Sequence, residues 1–160
     1  MAPFFTLFAS FAIARAWNGR RRRPDPDARA GRVALAAMLV LTGVAHFTST
    51  DAMAQMVPPF LPGAVPIVYA TGVLELAVAS LLLVRLDRPM PWLGWGLAAF
   101  FLALLPANVY SAVTGTGLGG YGPGYLWFRV PAQVLFIGWA LMATGALRRR
   151  RPTSDAATKA

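Results

Sequence analysis

Four long apolar runs, residues 33–50, 66–84, 91–113 and 125–147, leave this chain little choice of environment. A helix needs about 20 mostly apolar residues to cross a bilayer, and each run comes close to that length or exceeds it. The first is the shortest, roughly 27 Å of helix at about 1.5 Å per residue, which local thinning of a bilayer accommodates. Composition agrees: 57% of the 160 residues are hydrophobic and 13% charged, with a mean hydropathy of +0.54. An ordinary soluble domain carries roughly a quarter charged residues. No connection is long enough to hold a second domain. The expected fold class is therefore all-α, an integral membrane four-helix bundle.

A net charge of +9 raises nucleic acid as a partner, but the distribution argues against it. Thirteen of the 15 Lys and Arg residues fall in three groups: Arg20 to Arg23 with Arg29 and Arg32; Arg85 and Arg88; Arg148 to Arg151 with Lys159. These precede the first run, separate the second from the third, and follow the fourth. Connections 49–65 and 114–124 contain no Lys or Arg. That alternation is what the positive-inside rule predicts for four spans with both ends cytoplasmic. The partner implied is the lipid bilayer, whose anionic lipids the arginines can also touch.

The segments outside the runs divide the chain into residues 1–30, 31–148 and 149–160. Phe4, Phe5, Leu7, Phe8, Phe11 and Ile13 form an apolar stretch that ends at Arg15, too soon to span. An interfacial helix on the cytoplasmic face is expected there, followed by a solvated linker, 20–27, with two prolines. Residues 51–56 can form one or two helical turns before Pro58 and Pro59, giving a short outer segment that caps the bundle as an interfacial anchor or a lid. The glycine-rich connection 114–124 imitates a dinucleotide fingerprint, but that motif requires a strand before it. The tail 149–160 is small and polar, and expected to be disordered.

Five polar residues interrupt the apolar runs: His46, Glu75, Asn108, Arg129 and Gln133. Counted from the outer ends of their runs, Glu75 lies roughly 13 Å deep, Arg129 roughly 6 Å and Gln133 roughly 12 Å. Asn108 follows Pro106 in the outer third of its run, and His46 lies near the outer end of the first. A charged group at a helix centre costs roughly 2.5–3.5 kcal/mol, so convergence is expected, with the long Arg129 side chain reaching Glu75. One reading is a polar latch holding four helices in register; the other is a site for a polar headgroup, a quinone or a proton. With no Cys, thiol chemistry and thiolate metal sites are excluded. The single His46 suits structure or substrate hydrogen bonding better than metal. No nucleophile–base pair or metal set is visible, so no catalytic residue is assigned.

The segments Gly43-Val-Ala-His46-Phe47, Met56-Val-Pro58, Phe60-Leu-Pro62 and Tyr69-Ala-Thr-Gly72-Val-Leu-Glu75-Leu, then Pro106-Ala-Asn108-Val-Tyr110 and Arg129-Val-Pro131-Ala-Gln133 with Trp139, resemble the DoxX-like small membrane proteins of bacteria. The resemblance covers roughly residues 31–148. It implies a four-helix membrane bundle, with the family's Glu, Asn, Arg and Gln at Glu75, Asn108, Arg129 and Gln133. The family name comes from a subunit of a thiosulfate:quinone oxidoreductase, and some relatives are linked to membrane redox complexes. It thus implies an accessory or lipophilic-ligand-binding subunit, with quinone as the candidate cofactor and membrane redox proteins as candidate partners. His46 and Arg129 would hydrogen-bond a ligand oxygen, while Glu75 supplies or takes a proton. The alternatives are a structural membrane partner or a small-solute carrier; four spans without an evident inverted repeat disfavour the carrier.

Overall fold

In the computed structural model, which describes residues 2–21 and 25–147, every regular element is helical. In chain order these are α1 (Ala2–Arg20), α2 (Pro26–Thr48), α3 (Thr50–Ala54), α4 (Ala64–Val84), α5 (Pro91–Thr114), 3-10 turns at Gly117–Gly119 and Pro123–Tyr125, and α6 (Leu126–Thr144). Four helical segments, Pro26–Thr48, Ala64–Val84, Pro91–Thr114 and Pro123–Thr144, are long and apolar enough to cross a membrane. The tail expected at 149–160 lies outside the described residues.

Local chemistry sets the helix ends. Pro26 and Pro91 sit in the first turns of α2 and α5, where the missing N–H would have had no partner anyway. The first span is consequently longer than its apolar run suggested, taking in Arg29 and Arg32. α6 stops at Gly145, whose φ of 79° turns the chain so that the Ala146 N–H donates to the Leu141 carbonyl at 2.9 Å.

α2 is the spine of the bundle. It packs against α1, α4 and α6, while α5 packs against α6. Its span is 56% buried, against 22–28% for the other three. Ala34, Leu35, Met38 and Leu39 of α2 meet Ala79 and Leu82 of α4 and Leu93, Leu97 and Phe101 of α5 in one apolar cluster. α4 has no extensive backbone contact with α5 or α6, so these helices touch only through long side chains.

The placement of α1 corrects the expectation of a helix lying flat across the span ends. α1 runs back along α2 instead. Arg15 pairs with Asp27 at 2.6 Å near the turn, and Leu7 is fully buried in the central cluster. Phe8 and Phe11 meet Trp139 edge-on, with centroids 5.5 and 5.0 Å away, and Phe4 reaches Phe128 near the start of α6. The cause is an aromatic ridge that fits against α6, which itself lies close to α2, where a Cβ on Gly31 would stand 3.1 Å from the Ala143 Cβ. Trp139 of α6 is thus packed between Phe8 and Phe11 of α1 and the start of α2.

The two ends of the bundle are held differently. Where the basic residues gather, Arg32 is 4% exposed; its Nε donates to the Ala143 carbonyl at 2.9 Å and its Nη1 to the Leu86 carbonyl. Trp139 Nε1 donates to the Gly31 carbonyl at 3.1 Å, and the Met90 N–H to the Thr144 carbonyl at 2.9 Å. At the opposite end the two connections meet. α3 rests on α4 and on the Gly117–Gly119 turn, and Thr116 Oγ1 donates to the Gln55 carbonyl at 3.2 Å. The segment read as a cap has its helix at Thr50–Ala54, against α4 and that turn.

Candidate functional site

Two glycines bring the central polar pair together. A Cβ on Gly72 of α4 would lie 2.7 Å from the His46 Cβ, and one on Gly43 of α2 would lie 2.9 Å from the Leu76 side chain and 3.3 Å from the Glu75 Cβ. Only hydrogen at both positions lets α2 and α4 approach this closely. His46 and Glu75 therefore face each other across the closest part of the seam.

Their geometry is not that of a closed latch. His46 Nδ1 lies 2.8 Å from the Thr42 carbonyl, one turn back. A carbonyl can only accept, so Nδ1 carries a proton and donates it there. That nitrogen is 3.7 Å from Glu75 Oε2, beyond hydrogen-bond range. Glu75 is 4% exposed, and Oε2 is buried without a hydrogen-bond partner among the described residues. Thr42, whose side chain lies beside the Glu75 carboxyl, returns its own hydroxyl to the Met38 carbonyl at 3.1 Å. The sequence reading missed Thr42; its spacing of four from His46 was the available signal.

The other three residues of the polar set join α5 to α6. Arg129 Nη2 donates to Asn108 Oδ1 at 2.5 Å, and its guanidinium lies 5.9 Å from the Tyr125 ring centroid. Gln133 is buried, and its Nε2 donates to the Phe101 carbonyl. That carbonyl precedes the one that Pro106 leaves without a helical donor, so Gln133 engages α5 where its ladder is interrupted. The expected Arg129–Glu75 pair is absent among the described residues, and His46 is the group that faces Glu75 instead. The reason is helix order: α6 packs on α2 and α5, whereas Glu75 projects from α4. One cluster of five is thus two separate groups.

Glu75 also lines an apolar cleft of about 320 Å³ between α4 and α5. Leu74, Val78, Trp92, Leu97 and Phe100 are among the residues that wall it. The volume lies at the small end of the range for sites that hold an organic ligand. A buried acceptor beside apolar walls suits a ligand with a hydrogen-bonding head on a hydrocarbon body. No group of three or more His, Asp or Glu residues gathers among the described residues to hold a metal.

Sequence comparison adds one relation. Residues 35–144 match the family model described as Domain of unknown function (DUF8561). No curated protein and no solved structure matches the chain. The matched region contains His46, Glu75, Asn108, Arg129 and Gln133, while α1 and Arg32 precede it. With well over half of its residues inside that match, the chain belongs to the DUF8561 domain family.

Proposed function

We propose that the chain is a multi-pass protein of a bacterial cytoplasmic membrane that holds a lipophilic ligand of the quinone class against Glu75. Its role would be that of an accessory subunit in a membrane redox system. The observation that carries this reading is Glu75, which lines an apolar cleft and whose Oε2 is buried without a hydrogen-bond partner among the described residues. Such a group is expensive in hydrocarbon, and a ligand hydroxyl or an exchanging proton offsets that cost. Leu97 and Phe100 flank the ligand ring, and Glu75 accepts a hydroxyl proton or returns one to a carbonyl. His46 keeps Nδ1 on the Thr42 carbonyl, which leaves Nε2 as the second polar atom of the pair. The distribution of arginines supports cytoplasmic termini. The resemblance to DoxX-like proteins supports the redox setting.

Mass spectrometry of the organic extract from gently purified protein tests this reading. Wild type should carry a near-stoichiometric lipophilic compound, lost in Glu75→Gln and in Gly96→Leu. A Cβ on Gly96 meets nothing within 4 Å, so the leucine side chain can enter the cleft it lines without a backbone clash. Identical extracts from three well-folded samples would sink the ligand and favour a structural membrane partner. The satisfied Arg129–Asn108 and Gln133–Phe101 contacts suit that second reading.

A further inference from the structure

A second cleft, of about 650 Å³, opens at the basic end between the C-terminal half of α1 and the start of α2. Ile13, Trp17, Arg20, Arg29, Val33 and Leu86 line it. Its walls are of two kinds. Ile13, Val33, Leu86 and the Trp17 ring are apolar, and Ile13 and Trp17 are 72% and 56% exposed. Arg20 and Arg29 supply guanidinium groups, with Arg29 held by Asp87. Arg21 lies 4.5 Å from the Trp17 ring centroid, and Arg15 is engaged by Asp27.

Among the described residues, seven arginines and three aspartates occupy this end of the fold, so the surroundings stay positive. A zwitterionic headgroup would bring its own ammonium against these arginines. An anionic phosphate diester would not, and guanidinium forks match phosphate oxygens well. From this pairing of positive charge with apolar wall, we infer that the α1–α2 cleft is a binding site for one anionic phospholipid. Its phosphate meets Arg20 and Arg29, and an acyl chain runs along Ile13 and Val33. The inference rests on the membrane reading above but not on any ligand at Glu75.

The test uses the full chain in detergent, with phosphatidylglycerol, phosphatidylcholine or inorganic phosphate added and bound species counted by native mass spectrometry. One phosphatidylglycerol should be retained per chain, with phosphatidylcholine excluded and millimolar inorganic phosphate unable to displace it. Arg20→Ala should weaken retention roughly fivefold. Arg88→Ala, the same charge change at the same end but outside the cleft, should have less than half that effect. Ile13→Asp, at an exposed position, should also weaken retention while circular dichroism stays unchanged.

Equal losses from Arg20→Ala and Arg88→Ala would reduce the effect to diffuse attraction and overturn the site. Displacement by inorganic phosphate would overturn the lipid and leave a phosphate site. Glu75→Gln should retain the lipid, so loss of the quinone-class ligand alone leaves this inference standing. A chain that fails to float with vesicles would sink both readings, whereas an inserted chain indifferent to Arg20 sinks only this one.

Discussion

Replacing Gly72 by alanine probes the contact on which the Glu75 site depends. The new Cβ would stand 2.7 Å from the His46 Cβ and 3.0 Å from a Phe47 ring carbon, where ordinary contacts begin at 3.4 Å. Both Cβ atoms are fixed to helix backbone, so no rotamer change relieves the clash and α2 and α4 must part by about 1 Å. Overpacking of this kind costs about 1–3 kcal/mol. Alanine returns up to about 1 kcal/mol through helix propensity. The net expectation is a loss of roughly 1–2 kcal/mol, or a melting temperature lower by about 2–8 °C. Thermal unfolding in one detergent, read by tryptophan fluorescence or size-exclusion survival, measures it. Gly96→Ala is the matched control, because its Cβ meets nothing within 4 Å and should cause no loss. If the two variants melt together, α2 and α4 do not touch at Gly72 and the placement of His46 against Glu75 is wrong.

Other substitutions test the remaining contacts by the same assay. Arg32→Met leaves the Ala143 and Leu86 carbonyls without their guanidinium donor, and at about 1–3 kcal/mol per buried group the fold should lose roughly 2–5 kcal/mol. Glu75→Leu should leave stability unchanged or raise it, because it removes a buried oxygen that has no hydrogen-bond partner among the described residues; a large loss would show that Glu75 is a structural tie. Asn108→Leu takes the acceptor from Arg129 and should cost about 1–2 kcal/mol, with Asn108→Asp largely retaining stability. Ser111→Ala removes the hydroxyl that donates to the Thr116 carbonyl at 2.5 Å. It should cost about 1 kcal/mol and speed proteolysis within residues 114–124.

Hydropathy made the four long helices legible, because the run length needed to cross a bilayer is a one-dimensional property of the chain. The five polar residues were equally visible, since each stands out against an apolar run. Their partners were not. Depth along an axis says nothing about which helices are neighbours, so Arg129 and Glu75 could be matched for height while lying on helices that do not pack together. Arg32 was hidden by the company of other arginines, although its spacing from Leu35, Leu39, Gly43 and His46 follows the buried stripe of α2. α1 was misjudged because Arg15 shortens its apolar run below a span. A helix that leans on an existing hairpin does not need a span's full length.

The unequal fastening of the two ends fixes how the molecule can deform. Arg32 ties the α2 backbone to α6 and to the α4–α5 turn within one side chain's reach, and Arg29 grips Asp87 beside it. At the far end the Thr116 hydroxyl fastens the two connections to one another, and the Ser111 hydroxyl of α5 holds the Thr116 carbonyl. Between α4 and α5 no ladder of main-chain contacts has to break. The pair is joined by its own turn at the basic end and, at the far end, through α3 and the Gly117–Gly119 turn, so the cleft is walled by side chains between two fastened ends. Under the proposed function, a ligand entering the cleft would displace side chains between α4 and α5 while both ends of the bundle stay held.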